Sequence, residues 1–426
     1  MVKKVTKAGK KTKTPVNRVT VNSSNVLEEV MGLISKDYSF ASVNEEEKTN
    51  YLPTGNSAID FVLTNKLTGG GWPIGKITEL SGNNATGKSL LGLLALISTM
   101  NGAIKDEDGN PQPGISVLID TERAYNAEFF ELLGGDHSKL VLATPETAEE
   151  VYDFVKNFIE ITRKKTDVPI TFVFDSLAGT PTASELERGI SSGERMGMRG
   201  MIHGRGIRLI KDLIADENIT FIVINQLRKT FAMYGDPEDT VGGEAMKYHA
   251  SMRCRLKKGY KISTKKGKVE AGAKGVNLRD IVGIQGRFVI QKSRFTRPFR
   301  EVTFDIFYRG GLSPVSGLYD VLTDFYKDTN GTIEPSTEWT GNKPGHWKYN
   351  VDAETVIPFK KSNFEAMLRE NLHLIAPYNF EIVDHVLPID EVEVENGIDD
   401  QIKNGDDIDD DDLANLIAQP LEDEEE

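Results

Sequence analysis

From about Tyr51 to Ser313, short runs of consecutive apolar residues alternate with stretches of helical periodicity. The runs are KITELSG, ISVLIDTE, ITFVFDS and ITFIVINQ, the last three each led by Ile or Thr and ending on a polar residue. Continuous apolar runs between helices are the pattern of parallel strands buried on both faces. They predict an α/β fold, a mostly parallel twisted sheet with helices on both sides. In such sheets ligands bind at the carboxyl ends of the strands. The residues closing the runs are Ser81, Asp120 with Glu122, Asp175 with Ser176, and Asn225 with Gln226, and all are expected around one crevice.

Outside this region the pattern changes. Residues 1–22 have no apolar periodicity and are expected to be a disordered basic arm, solubilising, DNA-tethering or a nuclear-type signal. A short helix should follow: Asn25 can cap it, Glu28 stands three residues on, and Val26, Leu27, Val30, Met31, Leu33 and Ile34 form one stripe. The stripe must dock on its own body or on a neighbouring subunit, and its pattern fits both. Residues 314–388, with Trp339 and Trp347, read as a smaller mixed segment without a chemical motif.

The net charge of −14 misleads if taken as one number. Residues Asp390–Glu426 hold 17 acidic side chains against Lys403, while the first 18 residues carry seven bases and no acid. A nearly neutral body is thus left free to bind a polyanion, and the acidic balance describes only the tail. Cys254 is the only cysteine, which excludes an intrachain disulfide and suits a reducing, cytoplasmic setting (a host cytoplasm if the gene is viral). No apolar run is long enough to span a bilayer, and no membrane partner is expected.

One motif carries explicit chemistry. Gly82, Asn83, Asn84, Ala85, Thr86, Gly87, Lys88 and Ser89 satisfy the phosphate-loop pattern, between a strand expected over Lys76–Leu80 and an apolar helix expected over Leu90–Met100. Glycines let backbone N–H groups wrap phosphates at a helix N-terminus. Lys88 should reach the β- and γ-phosphates of ATP, Ser89 should ligate Mg²⁺, and Leu90 completes the nucleotide set. Asp175 closes an apolar run and suits the carboxylate that orients the metal's water shell. Glu122 is the candidate general base for the attacking water, against a plain salt bridge with Arg123.

Further stretches make the chain resemble a known family. INQLRKTFAMYGDPEDTVGGEAMKYHASMRCRLKKG (224–259), LPTGNSAIDFVL with GGGWPIGKITELSG, LIDTERAYNAEFFELLG, VFDSLAGTPTASELE and QKSRFTRPFREVTFDIFYRGGLSPVSGLYD (291–320) resemble, in order, the motifs of RecA-family recombinases. The SGLYD end, the divergent C-terminal segment and the acidic tail look like the phage UvsX type. The resemblance implies a RecA-type ATPase that forms a helical filament on single-stranded DNA and exchanges strands with a homologous duplex, aided by single-strand-binding and loader or mediator proteins. Pattern and resemblance together divide the chain into a basic arm (1–23), an oligomerisation helix with linker (24–48), an ATPase and DNA-binding core (49–313), a small C-terminal domain (314–388) and a disordered acidic tail (389–426). The resemblance makes Gln226 the γ-phosphate sensor and Phe129 the adenine-stacking ring, and it sends Lys292 and Arg294 to the neighbour's ATP. Two rivals are a hexameric helicase motor and a non-catalytic ATP-gated DNA scaffold or mediator.

Two segments are expected to line the DNA. Glu185–Arg208 carries Arg188, Arg195, Met196, Arg199, Arg205 and Arg208 among six glycines, suiting a loop that leads into a helix and allows close backbone approach; a plain surface helix would not need the glycines. Leu227–Gly243 interleaves Arg228 and Lys229 with Phe231, Met233 and Tyr234 before Gly242 and Gly243, the composition of a stacking platform for unpaired bases. By resemblance Tyr234 signals nucleotide state, although the loop is one residue shorter than in bacterial RecA and leaves Phe231 as the other ring for that role. Arg253–Lys274 holds nine bases and one acid, and its part KISTKKGKVEAGAKG looks like an enlarged hairpin; by resemblance Lys257, Lys258 and Arg287 match a secondary DNA site, against a merely solvated loop.

Overall fold

The computed structural model describes residues 50–66, 69–106, 108–188, 197–229, 238–240, 244–264, 267–269, 280–324, 332–335, 346–350, 356–360 and 363–371. The basic arm, the first helix, the acidic tail, Arg195, Met196, Phe231, Tyr234, Gly242, Gly243 and Trp339 lie outside the described residues.

Two short strands, β1 (Tyr51–Leu52) and β2 (Trp72–Pro73), flank helix α1 (Ser57–Thr64). Then come β3 (Ile77–Gly82), α2 (Lys88–Met100), β4 (Ile115–Asp120), α3 (Ala127–Leu132), β5 (Leu140–Ala143), α4 (Ala148–Thr162) and β6 (Ile170–Asp175). Helices α5 (Ala183–Arg188) and α6 (Met198–Ile214) precede β7 (Ile219–Lys229), β8 (Glu238–Thr240) and α7 (Glu244–His249). The sheet is extended by β9 (Met252–Ser263), β10 (Gly267–Val269), β11 (Ile281–Ser293), β12 (Glu301–Phe307) and β13 (Gly311–Leu312).

The main path runs β13-β12-β11-β9-β3-β7-β6-β4-β5. From β9 to β5 every pairing is parallel, and the β11–β13 side is an antiparallel extension. Strand alternation produces two cores. Leu80, Leu118, Val173, Ile222 and Ile224 face α1 and α2, whereas Val117, Ile119, Phe172, Phe174, Phe221 and Val223 face α4 and α6. Both faces are therefore covered, as the apolar runs require.

Helix α6 takes in Gly200, Gly204 and Gly206. A Cβ on Gly206 would lie 2.2 Å from the Tyr152 ring, so this glycine serves the crossing of α6 over α4. The close approach expected of the glycine-rich stretch is, at this position, to the protein's own core. At the same crossing the Tyr152 hydroxyl and His203 Nδ1 are hydrogen-bonded at 2.9 Å.

After α8 (Leu318–Asp324) the strands β14 (Thr332–Pro335), β15 (His346–Asn350) and β16 (Val356–Lys360) form an antiparallel sheet, followed by α9 (Phe364–Glu370). Tyr319 meets Phe359 and Phe364 edge to face, and all three join the core cluster that includes α1 and α2. No described helix is long and apolar enough to cross a membrane.

Candidate active site and nucleic-acid interface

Strand β3 is buried throughout and ends on Gly82, where a Cβ would stand 2.7 Å from the Leu256 carbonyl of β9. The chain then turns through Ala85 (φ 53°) and Gly87 (φ 90°) before α2 begins at Lys88. The Asn83 carbonyl accepts from Thr86 Oγ1 at 2.9 Å and from Lys88 Nζ at 2.7 Å, so the loop is closed around the lysine. Gly87 caps α2 without a side-chain hydrogen bond, leaving N–H groups of the first turn for an anion. Burial lowers the Lys88 pKa, the carboxylates of Asp175 and Glu122 oppose that shift, and the charge of Lys258 adds to it. Lys258 thus lies within electrostatic reach of the phosphate site.

Ser89 Oγ donates to Asp175 Oδ2 at 2.6 Å. Burial pushes the Asp175 carboxyl up to about 6; the Ser89 hydrogen bond and Lys88 hold it down, and Glu122 and Asp120 push it further up. A hydroxyl and a carboxylate at a strand end form the hard oxygen donor set that Mg²⁺ takes together with phosphate and water, so the residues present fit that ion.

Glu122 follows β4 and is exposed. Its Oε1 accepts from Gln226 Nε2 at 3.1 Å and, through a short contact, from Ser176 Oγ. Gly179 leaves room for it, since a Cβ there would touch the Glu122 side chain at 3.1 Å. Arg123 pairs with Glu146 at 3.6 Å, so the salt-bridge alternative for Glu122 is not what forms. Ser176 is a site residue that the sequence marked only as the end of a run. Thr121 and Thr180 fix it: Thr121 Oγ1 accepts the Ser176 N–H at 3.2 Å, and Thr180 Oγ1 donates to the Ser176 carbonyl at 2.7 Å.

Not every strand-end residue faces the crevice. Ser81 Oγ donates to the Cys254 carbonyl at 3.0 Å, and Asn225 Nδ2 donates to Glu79 at 2.8 Å. Both side chains are buried and serve the sheet. Asp120 Oδ2 accepts the Tyr125 N–H at 2.9 Å and shapes the turn that carries Glu122. Phe129, on α3, is half-buried against the core, with its N–H capped by Asn126.

Lys292 pairs in register with Arg253, and Arg253 with Glu79. That level is three residues before Gly82, roughly 10 Å back along the sheet. Its ammonium donates to the carbonyls of Lys247 (2.6 Å) and Tyr248 (3.2 Å), so it does not serve its own phosphate loop. Burial and the nearby Arg294 and Arg253 charges lower its pKa.

Of the basic residues assigned to DNA, Arg199 is engaged by Glu185 in a two-pronged ion pair, Nε to Oε1 at 3.2 Å and Nη2 to Oε2 at 3.1 Å. Arg208 is exposed on α6, and Arg228 is exposed on β7. Arg228 and Lys229 stand in register with Asp239 and Glu238 of β8. Lys257 and Arg287 are cross-strand partners, both exposed, with Lys258 opposite Gly286. Glu301 lies 3.9 Å from Arg287, a surface contact worth little. Beyond these lysines β10 pairs antiparallel with the end of β9, Gly267–Val269 against Lys261–Ser263.

Comparison with known proteins adds an independent result. The family model described as the RecA N-terminal domain matches residues 25–313, well over half the chain. The chain belongs to the RecA family. Curated relatives bear the same name. "Protein RecA" of Corynebacterium glutamicum (strain R) is 28% identical over 354 residues, 81% of this chain and 84% of its own length. That of Tropheryma whipplei (strain Twist) is 30% identical over 325 residues, 75% and 66% of the two chains. That of Desulforapulum autotrophicum is 26% identical over 361 residues, 82% and 93%. As a RecA-family recombinase, the protein is a DNA-dependent ATPase.

Proposed function

We propose that this protein assembles as a helical filament on single-stranded DNA, binds ATP with Mg²⁺ between stacked protomers, and catalyses homologous pairing and strand exchange. The observation that carries the reading is the convergence of Glu122, Gln226 and Ser176 beside Lys88, Ser89 and Asp175 at the carboxyl ends of parallel strands. Lys88 and the free N–H groups of α2 bind the phosphates. Ser89 and Asp175 hold Mg²⁺, which neutralises phosphate charge when bound. Glu122, oriented by two donors, accepts the proton of the attacking water. Gln226 lies near the end of β7, immediately before the basic, aromatic segment Leu227–Gly243, so γ-phosphate contact is transmitted to the DNA-binding segment.

Lys292 and Arg294 act on the neighbouring protomer's nucleotide; the parked position of the Lys292 ammonium, behind its own phosphate loop, favours a role in trans. Such a cation stabilises γ-phosphate charge only when protomers are stacked, which makes hydrolysis cooperative. Arg208, Arg228, Lys229 and Tyr234 line the primary strand, and Arg199 joins them on leaving Glu185. Lys257, Lys258 and Arg287 hold the second, duplex partner by phosphate contacts, and base pairing supplies sequence specificity. Phe129 packs on the adenine. Within the family we place the chain with the phage UvsX type, on its SGLYD segment, divergent C-terminal region and acidic tail.

The test is D-loop formation by wild type and Lys88→Ala, with ATP and with a non-hydrolysable analogue. Wild type should form joints with both nucleotides and Lys88→Ala with neither; joint formation by Lys88→Ala at the wild-type rate would refute the reading.

A further inference from the structure

Glu79 is a carboxylate in the middle of the most buried strand of the sheet, with no exposed surface, three residues before the phosphate loop. Its Oε1 accepts from Asn225 Nδ2 at 2.8 Å, and its Oε2 forms a short ion pair with Arg253 Nε, itself nearly buried. Asn225 immediately precedes Gln226, and its Oδ1 accepts the Gln226 backbone N–H at 3.0 Å. On the other side, Arg253 Nη2 donates to Thr240 Oγ1 at 3.3 Å. Thr240 closes β8 and stands in register with Leu227, the residue after Gln226. The contacts therefore form a closed ring across four strands, from Gln226 through Asn225, Glu79, Arg253 and Thr240 back to Leu227. The ring grips both strands of the β7–β8 stem, which in sequence bracket residues 230–237.

An ion pair in such a place is not explained by stability. Replacing a buried pair by apolar residues of similar volume is often neutral or stabilising, so a buried pair is better understood as fixing one geometry. Here the geometry fixed is that of Gln226 and the β7–β8 stem relative to the phosphate-loop strand. We propose that Glu79 and Arg253 are positioning residues that make the β3 strand and the β7–β8 stem move as one body, so that nucleotide contact at Gln226 is passed to the DNA-binding segment. This rests on the reading of 227–243 as a DNA-binding segment. A displacement of the Gln226 main chain moves Asn225. Glu79 and Arg253 relay that movement to Thr240, and both stem strands shift together. Without the ring, Gln226 still meets phosphate and β7 stays paired with β3, but β8 is tied to β7 by the three pairs at Leu227, Arg228 and Lys229 and can lag behind.

The experiment uses the full-length protein with four variants: Glu79→Gln, Thr240→Val, the pair Glu79→Met with Arg253→Met, and Tyr234→Ala. A fluorescent oligonucleotide is titrated by anisotropy with and without a non-hydrolysable ATP analogue, and DNA-free ATPase is measured alongside. Coupling between sites is commonly worth about a 5- to 150-fold change in affinity. The double Met variant should fold and keep its KM for ATP, which rests on Lys88 and the N-terminus of α2, yet lose most of the nucleotide-induced gain in oligonucleotide affinity. Thr240→Val, which leaves the ion pair intact, should lose part of it. Should Glu79→Gln fail to fold, the other two still decide. A wild-type gain in the double Met variant, while Tyr234→Ala binds oligonucleotide poorly, would overturn this proposal alone. Oligonucleotide binding by Tyr234→Ala equal to wild type would instead overturn the assignment of the DNA segment.

Discussion

Replacing Ser176 by alanine isolates the orientation of Glu122 from its presence. The Ser176 hydroxyl and Gln226 Nε2 both donate to Glu122 Oε1, and the serine is buried, whereas the glutamate is exposed. Without the hydroxyl the carboxylate keeps one donor and gains rotational freedom away from the phosphate loop. A hydrogen bond to a charged group contributes about 1.5–3 kcal/mol. If that contribution is realised in the hydrolytic transition state, kcat falls roughly 10- to 150-fold. The substitution also removes the acceptor of the Gly179 N–H at 3.3 Å, a weak bond whose loss adds a modest stability cost. ATP binding relies on Lys88 and the N-terminus of α2, so KM for ATP should stay within about twofold, the pattern of an interaction lost in the transition state. Single-turnover hydrolysis on saturating oligonucleotide, with Glu122→Gln as the reference for lost base function, measures the effect. A Ser176→Ala protein with wild-type kcat would refute the idea that this contact orients the base.

Three further outcomes follow from the geometry. Gly206→Ala drives a methyl into the Tyr152 ring and should destabilise the protein by about 1–3 kcal/mol, despite alanine's better helix propensity, as read by urea unfolding. His203 has its pKa lowered to about 4 by burial and by the Arg199 charge, with Glu185 opposing; the unfolded chain therefore binds a proton that the folded one refuses, and stability present above pH 6.5 is lost as pH falls toward 4. The loss is roughly 3 kcal/mol at about 1.4 kcal/mol per unit, and His203→Gln should flatten the pH–stability curve over that window. Replacing Lys257 and Arg287 with alanine should reduce the salt dependence of duplex binding by about two in log–log slope, because two phosphate contacts are lost; an unchanged slope would remove these residues from the duplex site.

The phosphate loop and the sheet were legible in the sequence because both depend on local pattern. A glycine-lysine-serine turn between an apolar strand and an apolar helix has few other solutions, and Ile77–Gly82 and Lys88–Met100 form as expected. What stayed hidden depends on register between distant strands. Whether Asn225 turns to the crevice or to Glu79 is decided by the pairing of β3 with β7, and Ser81 is claimed by the Cys254 carbonyl for the same reason. The signal for the buried pair was a lone glutamate within the run of β3 together with the first arginine of the basic strand β9, and its meaning appears only when the two strands are neighbours. Arg199 looked like a phosphate ligand by composition, and the fold gives it an acidic partner fourteen residues back. Ser176 was visible as a strand end, but its role required knowing that Glu122 returns to it.

In the proposed filament, γ-phosphate contact organises the DNA-binding segments only between stacked protomers. Sedimentation of the purified protein with a long single-stranded oligonucleotide, Mg²⁺ and a non-hydrolysable ATP analogue tests it most directly. A large cooperative assembly should form only with both ligands and be lost in Lys292→Ala. A species that stays monomeric with all components present would contradict it.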